Sequence, residues 1–163
     1  VHEKIKIELI NRLSECAGHS GIAGGQYLDL SFEKKKVSKK KIIQMQIKKT
    51  GKLFSFCSMV PAIIKNKDKK TINNFARIGY DIGLLFQITD DLIDFSGETK
   101  KAGKKTKKDH KQGKATLISL LGYENTVKYT NKLKLNLFKK LIKYGSKSKN
   151  INESLEFILN RIR

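Results

Sequence analysis

Proline is almost missing from this chain, with Pro61 the single one in 163 residues. So few breakers leave room for long uninterrupted helices. Cysteine is scarce too: Cys16 and Cys57 form no CxxC pair, which excludes a thiolate zinc site and a disulfide framework. Both sit among apolar residues and read as buried thiols of a reducing cytosol. The three histidines, His2, His19 and His110, lack metal-ligand spacing, so no histidine-based metal centre is assigned. No apolar run approaches the roughly 20 residues that cross a bilayer, and no signal peptide is recognisable. Period-two alternation never persists over a useful length, which removes the sheet classes and leaves an all-α chain. Arginine is confined to Arg12, Arg77, Arg161 and Arg163, although Lys and Arg together number 35 against 15 acidic residues, a net charge of +20. Nucleic-acid readers lean on arginine for bidentate contacts. The lysine excess comes with abundant Ile and Asn, as AT-rich coding alone can produce, and reads as a lysine-coated, solvated surface.

What is present is ordered and helical. A hydrophobic content of 39% suits one globular domain, or part of one, with a real core. Ile5, Ile7, Leu9, Ile10 and Leu13 predict a first helix to about Cys16. The glycines of "AGHSGIAGGQYLDL" either interrupt that helix or let a neighbour approach closely. "SFEKKKVSKKK" is a charged connector. A second helix is predicted from Ser38, its cap, to Ile64, kinked or ended by Pro61. Thr71 is expected to open a third helix, which gives way at Ser96 to a Gly- and Lys-rich loop reaching Gly113. Shorter helices follow over 115–121, 125–144 and 152–162. The chain enters at Val1 directly on a helical pattern, so further sequence upstream is expected.

The third helix holds an anomaly. "GYDIGLLFQITDDLIDFSG", residues 79–97, sets three aspartates, Asp90, Asp91 and Asp94, close together in a largely apolar run that also holds Asp81. At about 100° per residue, Gly83, Gln87, Asp90 and Asp94 line one side, with Asp91 at its edge. Ile78, Ile82, Leu85, Ile88, Leu92 and Phe95 fall opposite. The carboxylates therefore own a separate face, and Gly79 and Gly83 extend it as a surface open to a packed helix or a ligand. Carboxylates this close repel, so at least one pKa should rise unless a cation intervenes. Mg²⁺ suits such a face, because it takes oxygen ligands and uses one or two carboxylates plus substrate phosphates. Lysines suited to phosphate oxygens flank it: Lys49 in "KKTGK", and Lys104 and Lys114 in "GKKTKKDHKQGKAT".

In chain order, "GIAGGQYLDL", "KKTGKLFSF", "IGLLFQITDDLIDFSG", "GKKTKKDHKQGKATLISLLG" and "LEFILNRIR" resemble the trans-prenyltransferases, bacterial farnesyl diphosphate synthases above all. The resemblance implies an all-α helical bundle around a cavity. It implies condensation of isopentenyl diphosphate with an allylic diphosphate, dimethylallyl or geranyl, in a cytoplasmic, homodimeric complete enzyme. It implies Mg²⁺, for which Mn²⁺ can substitute, held by Asp90, Asp91 and Asp94, with Asp90 the foremost ligand. Lys49, Lys104 and Lys114 match lysines that bind the allylic diphosphate. Thr50 and Gln87 match residues facing the reacting carbons. Asp109 matches a loop aspartate near the metal shell, and Gln26 and Asp29 match a GGQxxD stretch of less direct role. Lys107 stands where relatives usually carry Gly. The family's first aspartate-rich motif, its paired arginines and its isopentenyl diphosphate segment have no counterpart here. The expectation is therefore the C-terminal half to three-fifths of such an enzyme, inactive or nearly so by itself. Two rival readings are a non-catalytic subunit of a prenyl synthase and a basic nucleic-acid-binding helical domain.

Overall fold

The computed structural model describes residues 1–101 and 113–160, and the side chains of residues 98–101 are not described. Lys104, Lys107 and Asp109 lie outside the described residues. Every regular element among the described residues is helical: α1 Glu3–Ala17, α2 Ile22–Ser31, α3 Lys39–Gln46, a π-helical turn Ile47–Gly51, α4 Lys52–Ile64, α5 Lys69–Lys101, α6 Leu117–Leu121, α7 Tyr123–Ile142, a 3-10 turn Gly145–Ser148 and α8 Lys149–Asn160. The all-α expectation holds. The chain divides into two compact units, one of Val1–Leu30 with Ile43–Leu84, the other of Ser31–Ile42 with Leu85–Arg163. Helix α5 belongs to the first unit up to Leu84 and to the second from Leu85.

In the first unit α1 and α4 pack antiparallel. Arg12 Nη1 reaches Met59 Sδ at 3.5 Å, and one turn later Cys16 Sγ donates to the Lys52 carbonyl at 3.4 Å. Met45, Met59, Ala62, Ile63 and Ile78 supply the buried apolar groups. Glycines set the closest helix approaches here. A Cβ on Gly25 of α2 would stand 2.2 Å from the Lys49 nitrogen, and one on Gly83 of α5 would stand 2.7 Å from the Gly51 Cα. One on Gly79 would meet the Phe54 carbonyl oxygen at 2.5 Å. The glycine face of α5 thus receives a packed helix.

The second unit is built on Leu85, Ile88, Leu92, Leu117, Leu137, Leu141 and Leu155, all essentially without solvent exposure. Of the apolar stripe read from the period of α5, Ile78, Leu85, Ile88 and Leu92 are buried, while Ile82 and Phe95 are half-buried. Thr126 and Thr130 are buried within α7, and each hydroxyl donates to the carbonyl four residues back at 2.8 Å, which satisfies it without a tertiary partner. Phe95 of α5 stacks on Tyr123 of α7 with ring centroids 5.4 Å apart.

Four local expectations need correction. Asp68 caps α5: its carboxylate accepts from the Thr71 amide at 2.9 Å and the Thr71 hydroxyl at 2.7 Å, so the helix opens before Thr71. Pro61 neither ends nor breaks α4, which continues to Ile64. The amide that proline lacks would have bonded the carbonyl of Cys57, and both residues are exposed, where a helix tolerates the loss of that bond. Helix α5 runs past Ser96 to Lys101. Cys57 is exposed, and only Cys16 of the two thiols is buried.

Candidate functional site

The aspartates of α5 stand where its buried stripe ends. Leu92 is fully buried, Asp90 and Asp91 are half-buried, and Asp94 is exposed. One Asp90 carboxylate oxygen, Oδ1, is shut off from solvent. Gln87 Nε2 donates to Asp91 Oδ1 at 3.3 Å, one turn apart on the helix.

Asp91 and Asp94 line a cavity of about 170 Å³ within the second unit. Phe95, Ile118 and Tyr123 give it an apolar side, while Lys114, Thr116 and Ser119 complete its polar side. Lys114 precedes α6, whose first turn is closed by a reciprocal cap. The Thr116 hydroxyl accepts from the Ser119 amide at 3.1 Å, and the Ser119 hydroxyl accepts from the Thr116 amide at 3.0 Å. Asp90 is not among the residues lining this cavity.

The first unit holds the other half of the expected set. Lys49 and Thr50 lie on the π-helical turn Ile47–Gly51, both half-buried. Lys49 Nζ pairs with Asp29 of α2 at 2.6 Å. Asp29, to which the resemblance gives only an indirect role, is therefore the partner of a lysine expected at the diphosphate, and Gln26 beside it is exposed. The π turn itself carries no residue signature and was not anticipated. Such turns occur often at functional sites, since the extra residue re-aims the side chains that follow. Two glycines admit it: Gly25 of α2 lies against the Lys49 backbone, and Gly83 of α5 lies against Gly51.

The donor set fits a hard divalent cation. Asp91 and Asp94 offer oxygens only, and Lys114 offers an ammonium donor to a phosphate on the same cavity, whereas the Ser119 hydroxyl already donates to the Thr116 carbonyl at 2.8 Å. Among the described residues no three His, Cys, Asp or Glu converge into an all-protein cage. Mg²⁺ does not require one, because it keeps waters and substrate phosphates in its shell. No described helix is long and apolar enough to cross a membrane.

Comparison with known proteins defines the class. The structure superposes on an FPP/GFPP synthase of Zymomonas mobilis with a TM-score of 0.80 at 33% identity, covering 96% of this chain and 52% of that one. It superposes on the Helicobacter pylori geranyltransferase complexed with magnesium and isoprenyl diphosphate with a TM-score of 0.79 at 29% identity, covering 98% and 52%. In sequence it is 35% identical over 131 residues to farnesyl diphosphate synthase of Micrococcus luteus, covering 80% of this chain and 45% of that protein. It is 31% identical over 156 residues to geranylgeranyl diphosphate synthase of Cyanophora paradoxa, covering 95% and 52%. The helical fold is therefore that of prenyl diphosphate synthases. Residues 2–156 match the polyprenyl synthetase profile, and the chain belongs to that family. It spans about half the length of the curated relatives it matches.

Proposed function

We propose that this chain supplies the allylic-diphosphate half of a prenyltransferase active site. The reaction joins isopentenyl diphosphate to dimethylallyl or geranyl diphosphate and releases pyrophosphate. The observation that carries the reading is the cavity on which two carboxylates, Asp91 and Asp94, face a lysine, Lys114, and two hydroxyls. Opposite charges gathered on one cavity suit an anion bridged to carboxylates by divalent metal, since neither group alone would hold both. The magnesium and isoprenyl diphosphate of the Helicobacter pylori complex support the same assignment.

In this reading Asp90, Asp91 and Asp94 would hold Mg²⁺, which when bound would supply positive charge beside the departing pyrophosphate. Lys49, Lys104 and Lys114 direct ammonium groups at the phosphate oxygens, stabilising charge that grows as the allylic carbon–oxygen bond breaks. Asp29 orients Lys49 before substrate arrives. Gln87 is held in turn by Asp91. The oxygens of Thr50 and Gln87 face the allylic carbons, where positive charge appears. The isopentenyl double bond attacks that carbon, a new carbon–carbon bond forms, and a proton leaves the adduct. Apolar groups such as Phe95 and Ile118 keep water from the cation. The complete enzyme in this reading is a cytoplasmic homodimer.

A hybrid tests the reading. The part of the Micrococcus luteus enzyme that this chain does not match is fused ahead of Val1, and geranyl plus isopentenyl diphosphate are supplied with Mg²⁺. Farnesyl diphosphate should form, and Asp90→Ala should cut the rate by about 100-fold or more, the usual loss when transition-state charge stabilisation is removed. A folded hybrid with no prenyl extension, or an Asp90→Ala form as active as its parent, would defeat it.

A further inference from the structure

The charged connector before α3 has a structural task that its composition does not suggest. Lys34 adopts a left-handed backbone, with φ of 57°, a conformation that crowds any residue with a Cβ. Its amide donates to the carbonyl of Gly113 at 2.7 Å. Gly113 is itself left-handed at φ 66°, and a Cβ there would stand 2.6 Å from Lys34 Cγ and 3.1 Å from the Lys34 nitrogen. The two backbones touch at a point where Gly113 has no room for a side chain. The connector is also tied to α7, where the Lys39 ammonium lies 4.1 Å from the centre of the Tyr129 ring.

The residue after Gly113 is Lys114, the one lysine on the carboxylate cavity among the described residues. Residues 113–116 form a short strap fixed at both ends. Lys34 holds Gly113, and the reciprocal Thr116–Ser119 cap holds the other end, with Ala115 buried between. A lysine stem has four rotatable carbons and loses much entropy when its ammonium is localised. Fixing its Cα beforehand removes part of that loss from the binding step.

We propose that the Lys34–Gly113 backbone contact is a clasp that positions Lys114 for a diphosphate at the Asp91–Asp94 cavity, which makes Lys34 a positioning residue of the site. The inference rests on the diphosphate reading above and adds to it a segment some eighty residues distant in sequence, as read from the positions of Lys34 and Lys114. The clasp uses the backbone of Lys34, so its side chain is dispensable while its N–H and its left-handed φ are not.

The test is the dissociation constant of pyrophosphate for the full chain, measured by calorimetry with Mg²⁺ present, alongside the melting temperature. Lys34→Pro removes the N–H and forbids the positive φ. Gly113→Ala crowds the same contact from the other side. Each should weaken binding about 10-fold or more, the order of one charge-assisted hydrogen bond lost. Lys34→Gly keeps the donor and favours the φ, so it should rescue binding to within about 2-fold of the parent. If Lys34→Pro does not fold, Gly113→Ala against Lys34→Gly decides the matter. Parental binding with unchanged affinity in Lys34→Pro or Gly113→Ala overturns the clasp and leaves the diphosphate reading intact. Equal losses in Lys34→Pro and Lys34→Gly also overturn it, because the charge would then be acting. Absence of Mg²⁺-dependent binding in the parent overturns both.

Discussion

Replacing Gly25 by Ala is the sharpest structural perturbation the fold offers near the site. The new Cβ would stand 2.2 Å from the Lys49 nitrogen, 2.5 Å from its Cα and 2.8 Å from the Lys48 carbonyl carbon. Carbon contacts settle at about 3.5–4.0 Å, so α2 must retreat from the π turn by about 1 Å. The obstacle is backbone, which cannot rotate aside as a side chain would. Overpacking costs about 1–3 kcal/mol, and occasionally more, and a clash with backbone belongs at the upper end. For a chain of this size about 3 kcal/mol lowers Tm by roughly 9 °C. The retreat also separates Asp29 from Lys49, whose pair is 2.6 Å long. Urea denaturation and thermal unfolding of Gly25→Ala measure the cost. Gly97→Ala serves as the control: a Cβ there meets nothing within 4 Å, and removing a helix glycine should stabilise by about 0.5–1 kcal/mol. A loss below about 1 kcal/mol in Gly25→Ala would refute the reasoning, because the close approach would then not be rigid.

Three further outcomes are expected. Asp68 is held below its ordinary value of 3.8 by the Thr71 hydroxyl first and the Thr71 amide second. The cap should therefore contribute stability above that value and lose it as pH falls through the lower folded one, so the Tm deficit of Asp68→Ala should be present at pH 7 and vanish in acid. Iodoacetamide should label exposed Cys57 on the native chain and spare Cys16, as read by mass spectrometry. Burial pushes the Cys16 thiol above 9.0, so the stabilisation from holding its proton is complete below 9.0 and is lost as pH rises through the higher folded value. Leu137→Ala empties a fully buried position and should cost about 2–5 kcal/mol in urea denaturation.

Short-range physics carried most of the fold into the sequence. The stripe of Ile78, Ile82, Leu85, Ile88, Leu92 and Phe95 was legible because a helix repeats every 3.6 residues; four of the six are buried, and Ile82 and Phe95 are half-buried. The same period placed the aspartates apart from that stripe. The ends of elements were less legible. Gly97 and its lysines suggested a loop after Ser96, yet a helix carries a single glycine at modest cost, and α5 runs on. Pro61 suggested a break, yet the bond it removes faces solvent. The arrangement of the site was the least legible part. Helix period alone grouped Asp90 with Asp94, whereas the cavity gathers Asp91 and Asp94 with Lys114, because the wall opposite them comes from a strap twenty residues downstream. The Asp29–Lys49 pair and the Lys34–Gly113 contact are likewise products of tertiary packing, which no local pattern encodes.

The proposed function stands on this carboxylate and lysine constellation gripping a diphosphate together with Mg²⁺. Calorimetric titration of pyrophosphate into the chain, once with Mg²⁺ and once with EDTA, decides it. Saturable uptake should occur only when the metal is present and should be lost when Asp91 and Asp94 are both changed to Asn. Uptake that is indifferent to Mg²⁺, or that survives the double change, would contradict it and leave only the general attraction of a basic surface for an anion.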